Sequence, residues 1–105
     1  MVYAFTYEVP IDSEIYGEII AALGDERAPG FIAHVAYRTD SGLRYLDVWN
    51  SEDECKAFME GRLHPAVHGV LSEKLGFIPP EPPMTVLDIV HVWTAEANQR
   101  PHEGR

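Results

Sequence analysis

Two strand-forming runs around a short turn constrain this chain more than any other feature. Residues 31–38 (FIAHVAYR) and 43–50 (LRYLDVWN) are rich in β-branched and aromatic types, and they flank TDSG, a composition suited to a tight turn. They predict an antiparallel hairpin. The segments on either side then decide what sheet this hairpin joins.

Upstream, residues 2–9 (VYAFTYEV) read as a strand that Pro10 closes, since proline cannot continue a ladder. From Asp12 or Ser13, either a good N-cap, Ile15, Ile19, Ile20 and Leu23 recur at helical spacing, with Gly24 at the expected C-terminal stop. Downstream, Ser51 and Glu54 form a capping-box pattern, followed by an apolar stripe at Cys55, Phe58, Met59 and Leu63. The stripe resumes at Val67, Val70, Leu71 and Leu75, and Pro65 predicts a break in the helix near residues 62–65. Residues 76–84 (GFIPPEPPM), with four of the eight prolines, predict an extended connector, and residues 85–94 (TVLDIVHVWT) a final strand. Residues 95–105 are expected to form a loosely ordered tail after a single domain over residues 1–94.

The order β-α-β-β-α-β is the split βαβ arrangement of ferredoxin-like α+β domains. Right-handed crossovers there put both helices on one face of an antiparallel sheet. The other face is bare, and its strand composition predicts cover by a second copy, giving a homodimer.

The charge balance, 17 acidic against 8 basic residues for a net −9, opposes binding to nucleic acid or to anionic membrane surfaces. Glu8 interrupts the apolar N-terminus, which therefore reads as a strand and not as a signal peptide, and a cytoplasmic location is expected. The lone Cys55 rules out an internal disulfide and fits a reducing compartment.

A two- or four-residue hairpin loop makes cross-strand partners sum to 81. His34 then faces Asp47, Ala36 faces Tyr45 and Ile32 faces Trp49. His34, Asp47, Tyr45 and Trp49 share one face, and Phe31, Ala33, Val35, Leu46 and Val48 the other. A carboxylate beside an imidazole fixes its tautomer, so His34 with Asp47 suits a general base acting on a phenol or enol, with Tyr45 and Trp49 as an aromatic wall. The same pair also suits a purely structural hydrogen bond that sets strand register.

His64 and His68, four residues apart, have the spacing of two metal ligands but need a third from His34, His91 or Glu60. Without one they are a first-turn and an exposed histidine. His91 falls mid-strand on an apolar face, either as a packed residue or as a substrate contact. Arg62 near the helix break suits an anionic substrate group or a surface ion pair. Cys55 packs as a small hydrophobe. No phosphate loop, nucleophile elbow or HExxH pattern occurs.

The stretch DVWNSEDECKAFMEGRLHPAV (47–67), with Trp49 ending a strand, the Ser51 cap, Phe58, and Arg62, Leu63 and Pro65 in an Arg-Leu-x-Pro pattern, resembles the dimeric α+β barrel superfamily, particularly proteins related to antibiotic-biosynthesis monooxygenases. That resemblance implies a homodimer binding a small molecule. Taken together with His34, Asp47, Tyr45 and Trp49, it suggests a cofactor-independent monooxygenase-like or isomerase-like enzyme for a small aromatic or polyketide-like substrate, with no cofactor and no metal. His34 and Asp47 would be catalytic, and Tyr45, Trp49, Arg62, His64, His68 and His91 would contact substrate. A non-catalytic ligand-binding or scaffold dimer is the alternative. A haem-binding protein is the third reading, although the haem-degrading branch uses an Asn on its first strand, where this chain has none.

Overall fold

Why does the chain adopt the predicted order? Each element carries its own start and stop signal. In a computed structural model that describes residues 2–94, the chain runs β1 (Tyr3–Val9), α1 (Ser13–Leu23), β2 (Phe31–Thr39), β3 (Gly42–Trp49), α2 (Glu52–Phe58), a π-helical turn (Met59–Leu63), α3 (His64–Leu75) and β4 (Thr85–Leu87). The sheet is antiparallel in the order β2-β3-β1-β4, as in ferredoxin-like folds.

The hairpin turns at Asp40 and Ser41, with Thr39 opposite Gly42. Gly42 has φ +151°, and a Cβ there would lie 2.1 Å from the Val9 carbonyl oxygen, so only glycine fits between β3 and the end of β1. His34 faces Asp47 and Ala36 faces Tyr45, as the register predicts. Further along, Phe31 and not Ile32 faces Trp49, because a bulge between Phe31 and Ala33 adds one residue to β2. Phe31 therefore turns onto the aromatic face, where its ring meets the Trp49 ring edge-on at 5.5 Å.

Asp12 caps α1 through Oδ1, which accepts from the Ile15 N–H at 2.9 Å. The buried side of α1 carries Ile15, Tyr16, Ile19 and Leu23, while Ile20 is 41% exposed. At 100° per residue Ile15, Ile19, Leu23 and Tyr16 span one arc with Tyr16 at its edge, and Ile20 falls beyond that edge, so the polar-tipped tyrosine takes the place predicted for an isoleucine.

Ser51 caps α2 through its hydroxyl oxygen, which accepts from Glu54 N–H at 3.2 Å, and three acids in the first turn complement the helix dipole. The expected break is absent. Pro65 has no N–H for the Gly61 carbonyl, and its ring would press on that group in a regular α-helix. The π turn, in which the His64 N–H reaches the Met59 carbonyl five residues back, widens the backbone just ahead of the proline and carries the helix through.

The last strand is shorter than predicted. Leu87 pairs with Ala4, one residue from the start of β1, so the ladder stops there and residues 88–94 carry no strand. Val90 is 98% exposed as a result. The tail predicted for residues 95–105 lies outside the described residues.

All the helices pack on the aromatic sheet face. One cluster joins Ile11, Ile19, Leu43, Tyr45, Val70 and Leu71, and a second joins Phe5, Ala28, Trp49 and Cys55. Phe5, Trp49 and Cys55 are fully buried, and a fully buried large apolar side chain stabilises by about 1.5–3 kcal/mol. The outer face carries Ala33, Val35, Leu46 and Val48 toward one end, and Tyr37 with the Glu8–Arg44 ion pair (3.2 Å) toward the hairpin. Val35 and Tyr37 are half-exposed.

Candidate active site

Between the aromatic sheet face and the helices lies a cleft of about 440 Å³. Its floor is Tyr7, His34, Tyr45, Asp47 and Trp49 from three neighbouring strands, which alternation and register bring to one face. Tyr16 lines it from α1, Phe58 and Met59 from α2 and the π turn, and Val67 and Leu71 from α3. The proline segment, with Ile78, Pro79, Pro80, Pro82 and Met84, completes the wall.

The polar groups form a chain along the floor. Asp47 Oδ1 accepts from His34 Nδ1–H at 2.6 Å, and Tyr16 Oη lies 2.8 Å from His34 Nε2. As an ionised carboxylate Asp47 can only accept, which places the neutral imidazole's proton on Nδ1 and leaves Nε2 as the acceptor for the Tyr16 hydroxyl. The Trp49 indole N–H points at Asp47 Oδ2 across a long 3.5 Å. Tyr45 supports the imidazole edge-on with centroids 5.1 Å apart.

Burial raises the Tyr16, Tyr45 and Tyr7 phenols above the usual tyrosine range, and the Asp47 charge adds to the rise in each. All three stay protonated at neutral pH. The Tyr7 and Tyr45 hydroxyls have no hydrogen-bond partner among the described residues. They are donors available to a bound molecule in an otherwise apolar cleft.

Of the residues that the sequence singles out, the structure brings His34, Tyr45, Asp47, Trp49, Arg62, His64 and His68 to this one cleft. Trp49 is 1% exposed beneath Phe31 and Phe58, so it backs the cleft more than it paves it. Arg62 donates to the backbone carbonyls of Leu23 and Glu26 at 3.3 and 3.0 Å and covers the Phe58 ring, which pins the loop after α1 to the π turn. His64 pairs with Glu81 of the proline segment at 2.7 Å and stacks on His68 with ring centroids 5.8 Å apart. Among the described residues no three His, Cys, Asp or Glu side chains converge as a metal site. His91 is not in the cleft: it is exposed beyond β4, beside Trp93.

Two participants escape a reading of the sequence. Tyr16 is hidden when its helix face is read from aliphatic residues alone, though its spacing to Ile19 and Leu23 places it on that face. Tyr7 is hidden because its role emerges only once β1 lies beside β3, opposite Tyr45. Cys55 is buried, and burial pushes its thiol up to about 11, so it has no nucleophilic thiolate at neutral pH.

This chain has the ferredoxin-like α+β fold of solved antibiotic-biosynthesis-monooxygenase-type proteins. A solved candidate antibiotic biosynthesis monooxygenase from Chloroflexus aurantiacus superposes with a TM-score of 0.55 at 18% identity, over 88% of this chain and 98% of that one. SnoaB, a cofactor-independent oxygenase from Streptomyces nogalater, superposes with a TM-score of 0.52 at 13% identity, over 87% of this chain and 93% of that one. No family model matches the sequence, and no curated protein matches it. Among the described residues, no helix is long and apolar enough to cross a membrane.

Proposed function

We propose that the protein is a small-molecule enzyme in which the His34–Asp47 pair removes a proton from a phenol or enol held in the aromatic cleft. The observation that carries this reading is the 2.6 Å pair itself, with Nδ1 fixed by the carboxylate and the ring set in the cleft wall. The resulting anion is electron-rich at carbon. If it passes electrons to dioxygen, the reaction is monooxygenase-like: a ring CH₂ becomes C=O, and one oxygen atom leaves as water. If it is reprotonated at another atom, the reaction is an isomerisation. The fold shared with SnoaB supports the first, and the apolar cleft with unpaired phenol hydroxyls suits a planar aromatic or polyketide-like substrate. A homodimer joined through the outer sheet face belongs to the same reading.

The test uses a panel of hydroxylated anthrones and naphthalenes with the purified protein. An oxygen electrode reads monooxygenation, and NMR in D₂O without oxygen reads isomerisation as deuterium uptake at carbon. The reading requires that His34→Gln and Trp49→Phe each depress whichever signal the wild type gives. Unchanged turnover in both variants would remove the assigned roles. Tight binding of a panel member with neither signal would make the protein a ligand holder instead.

A further inference from the structure

We propose that Tyr16 is a catalytic residue of this cleft, the group that takes the ligand's proton and hands its own to His34. This rests on the His34–Asp47 base proposed above and adds the residue that meets the ligand. A neutral imidazole has one in-plane lone pair. With Nδ1–H given to Asp47, that lone pair is on Nε2, and Tyr16 Oη already occupies its direction at 2.8 Å. The two rings lie nearly parallel, 10° apart with centroids at 6.0 Å. A ligand hydroxyl therefore cannot reach Nε2 while Tyr16 is in place. It can reach Tyr16 Oη, whose single proton is committed to His34 and whose lone pairs remain free to accept.

The step balances as a relay. The ligand O–H bond breaks as a new Tyr16 O–H forms, and the old Tyr16 O–H breaks as His34 Nε2–H forms. Tyr16 ends as it began, the ligand becomes an anion, and His34 becomes an imidazolium held against Asp47. No free tyrosinate is needed, which fits a phenol that burial and the Asp47 charge keep protonated. Asp47 and Tyr45 of β3 contact the relay, and Tyr7 of β1, Arg62 of the π turn, His64 and His68 of α3 and Glu81 of the proline segment also line the cleft. All remain in every variant used, so the comparison isolates Tyr16 and His34.

The probes are 4-nitrophenol and 4-nitro-1-naphthol, whose anions absorb in the visible, titrated with saturating protein across pH. In the wild type the bound dye should ionise at least about tenfold more readily than free dye, a midpoint about one pH unit lower. His34→Gln should abolish the shift. Tyr16→Phe should also abolish it while binding neutral dye no more than about fivefold more weakly, the cost of one hydrogen bond. A shift that survives in Tyr16→Phe, or grows, overturns the relay and makes Tyr16 a plug on a base that ligands reach directly. A wild type that leaves both dyes unshifted, or a His34→Gln variant that keeps the shift, rejects the base itself and the relay with it. A ligand-free control uses the His34 ring ¹⁵N spectrum: Tyr16→Phe must move the Nε2 resonance, and an unmoved resonance also overturns the proposal. Thermal melts of each variant confirm that the comparison is between folded proteins.

Discussion

The carboxylate of Asp47 meets the imidazole of His34 at 2.6 Å, from directly opposite positions on β3 and β2. A charge-assisted bond of that length holds one tautomer and one ring orientation. Asp47→Asn keeps the shape and removes the charge, so the ring should sample both neutral tautomers. Long-range ¹H–¹⁵N spectra of His34 will show this as Nδ1 and Nε2 shifts moving toward each other. The fold should also lose about 1.5–3 kcal/mol in urea unfolding, as expected for a bond to a charged group. A variant with unmoved ring shifts and unchanged stability would mean that the pair holds nothing in place.

Alkaline pH should weaken the fold before it touches the surface. Burial raises the Cys55 thiol from about 9 in the unfolded chain to about 11 in the folded one, so the folded state holds its proton more tightly. The stability this contributes is complete below pH 9 and is lost as pH rises through 11, because only the unfolded chain then ionises freely. Two units of difference correspond to roughly 2–3 kcal/mol. Tyr7, Tyr16 and Tyr45 are raised in the same direction and extend the loss to higher pH. Urea midpoints at pH 8 and pH 10.5 measure the slope, and Cys55→Ala should flatten it. Equal slopes in the two proteins would mean that Cys55 ionises as freely folded as unfolded.

What is legible in the sequence follows from which interactions are local. The hairpin register is readable up to the loop length: a two- or four-residue loop sets His34 against Asp47 by arithmetic, a three-residue loop would not, and the two-residue turn at Asp40 and Ser41 realises the first case. The bulge at Phe31 is not readable, since it depends on how β2 enters beside Gly30, whose carbonyl accepts from the Asn50 N–H at 2.8 Å. A break at Pro65 assumes that only α geometry is open to the chain, and a π turn removes the clash without ending the helix. Tyr16 and Tyr7 reach the cleft through tertiary placement, which no window of local pattern contains.

Two glycines separate backbone need from backbone cost. Gly42→Ala would drive a Cβ to 2.1 Å from the Val9 carbonyl at a φ of +151°, so the hairpin must open or β1 must shift. A loss of at least about 2 kcal/mol is expected, within the range for strained backbone positions. Gly17 lies in α1, where an added methyl would have nothing within 4 Å, so Gly17→Ala should gain about 0.5–1 kcal/mol through helix propensity. Thermal melts of the pair should therefore move in opposite directions, and two shifts of the same sign would contradict this account of the turn.

The proposed homodimer has a specific consequence for the outer sheet face. Ala33, Val35, Leu46 and Val48 lie there on adjacent strands with no helix above them, and Val35 is 49% exposed. If a second copy covers this face, a lysine at its centre must be desolvated against apolar side chains, which an association of standard size cannot absorb without a large loss of affinity. Val35→Lys should therefore sediment as a monomer at concentrations where the wild type sediments at twice the chain mass. Its melting temperature should become independent of protein concentration, because a monomer's stability no longer depends on mass action. Arg44→Ala, at the polar hairpin end of the same face, should shift the equilibrium far less, since its Glu8 partner is solvent-accessible and such pairs contribute at most about 1 kcal/mol. A Val35→Lys protein that still sediments as a dimer would place the interface elsewhere on the molecule.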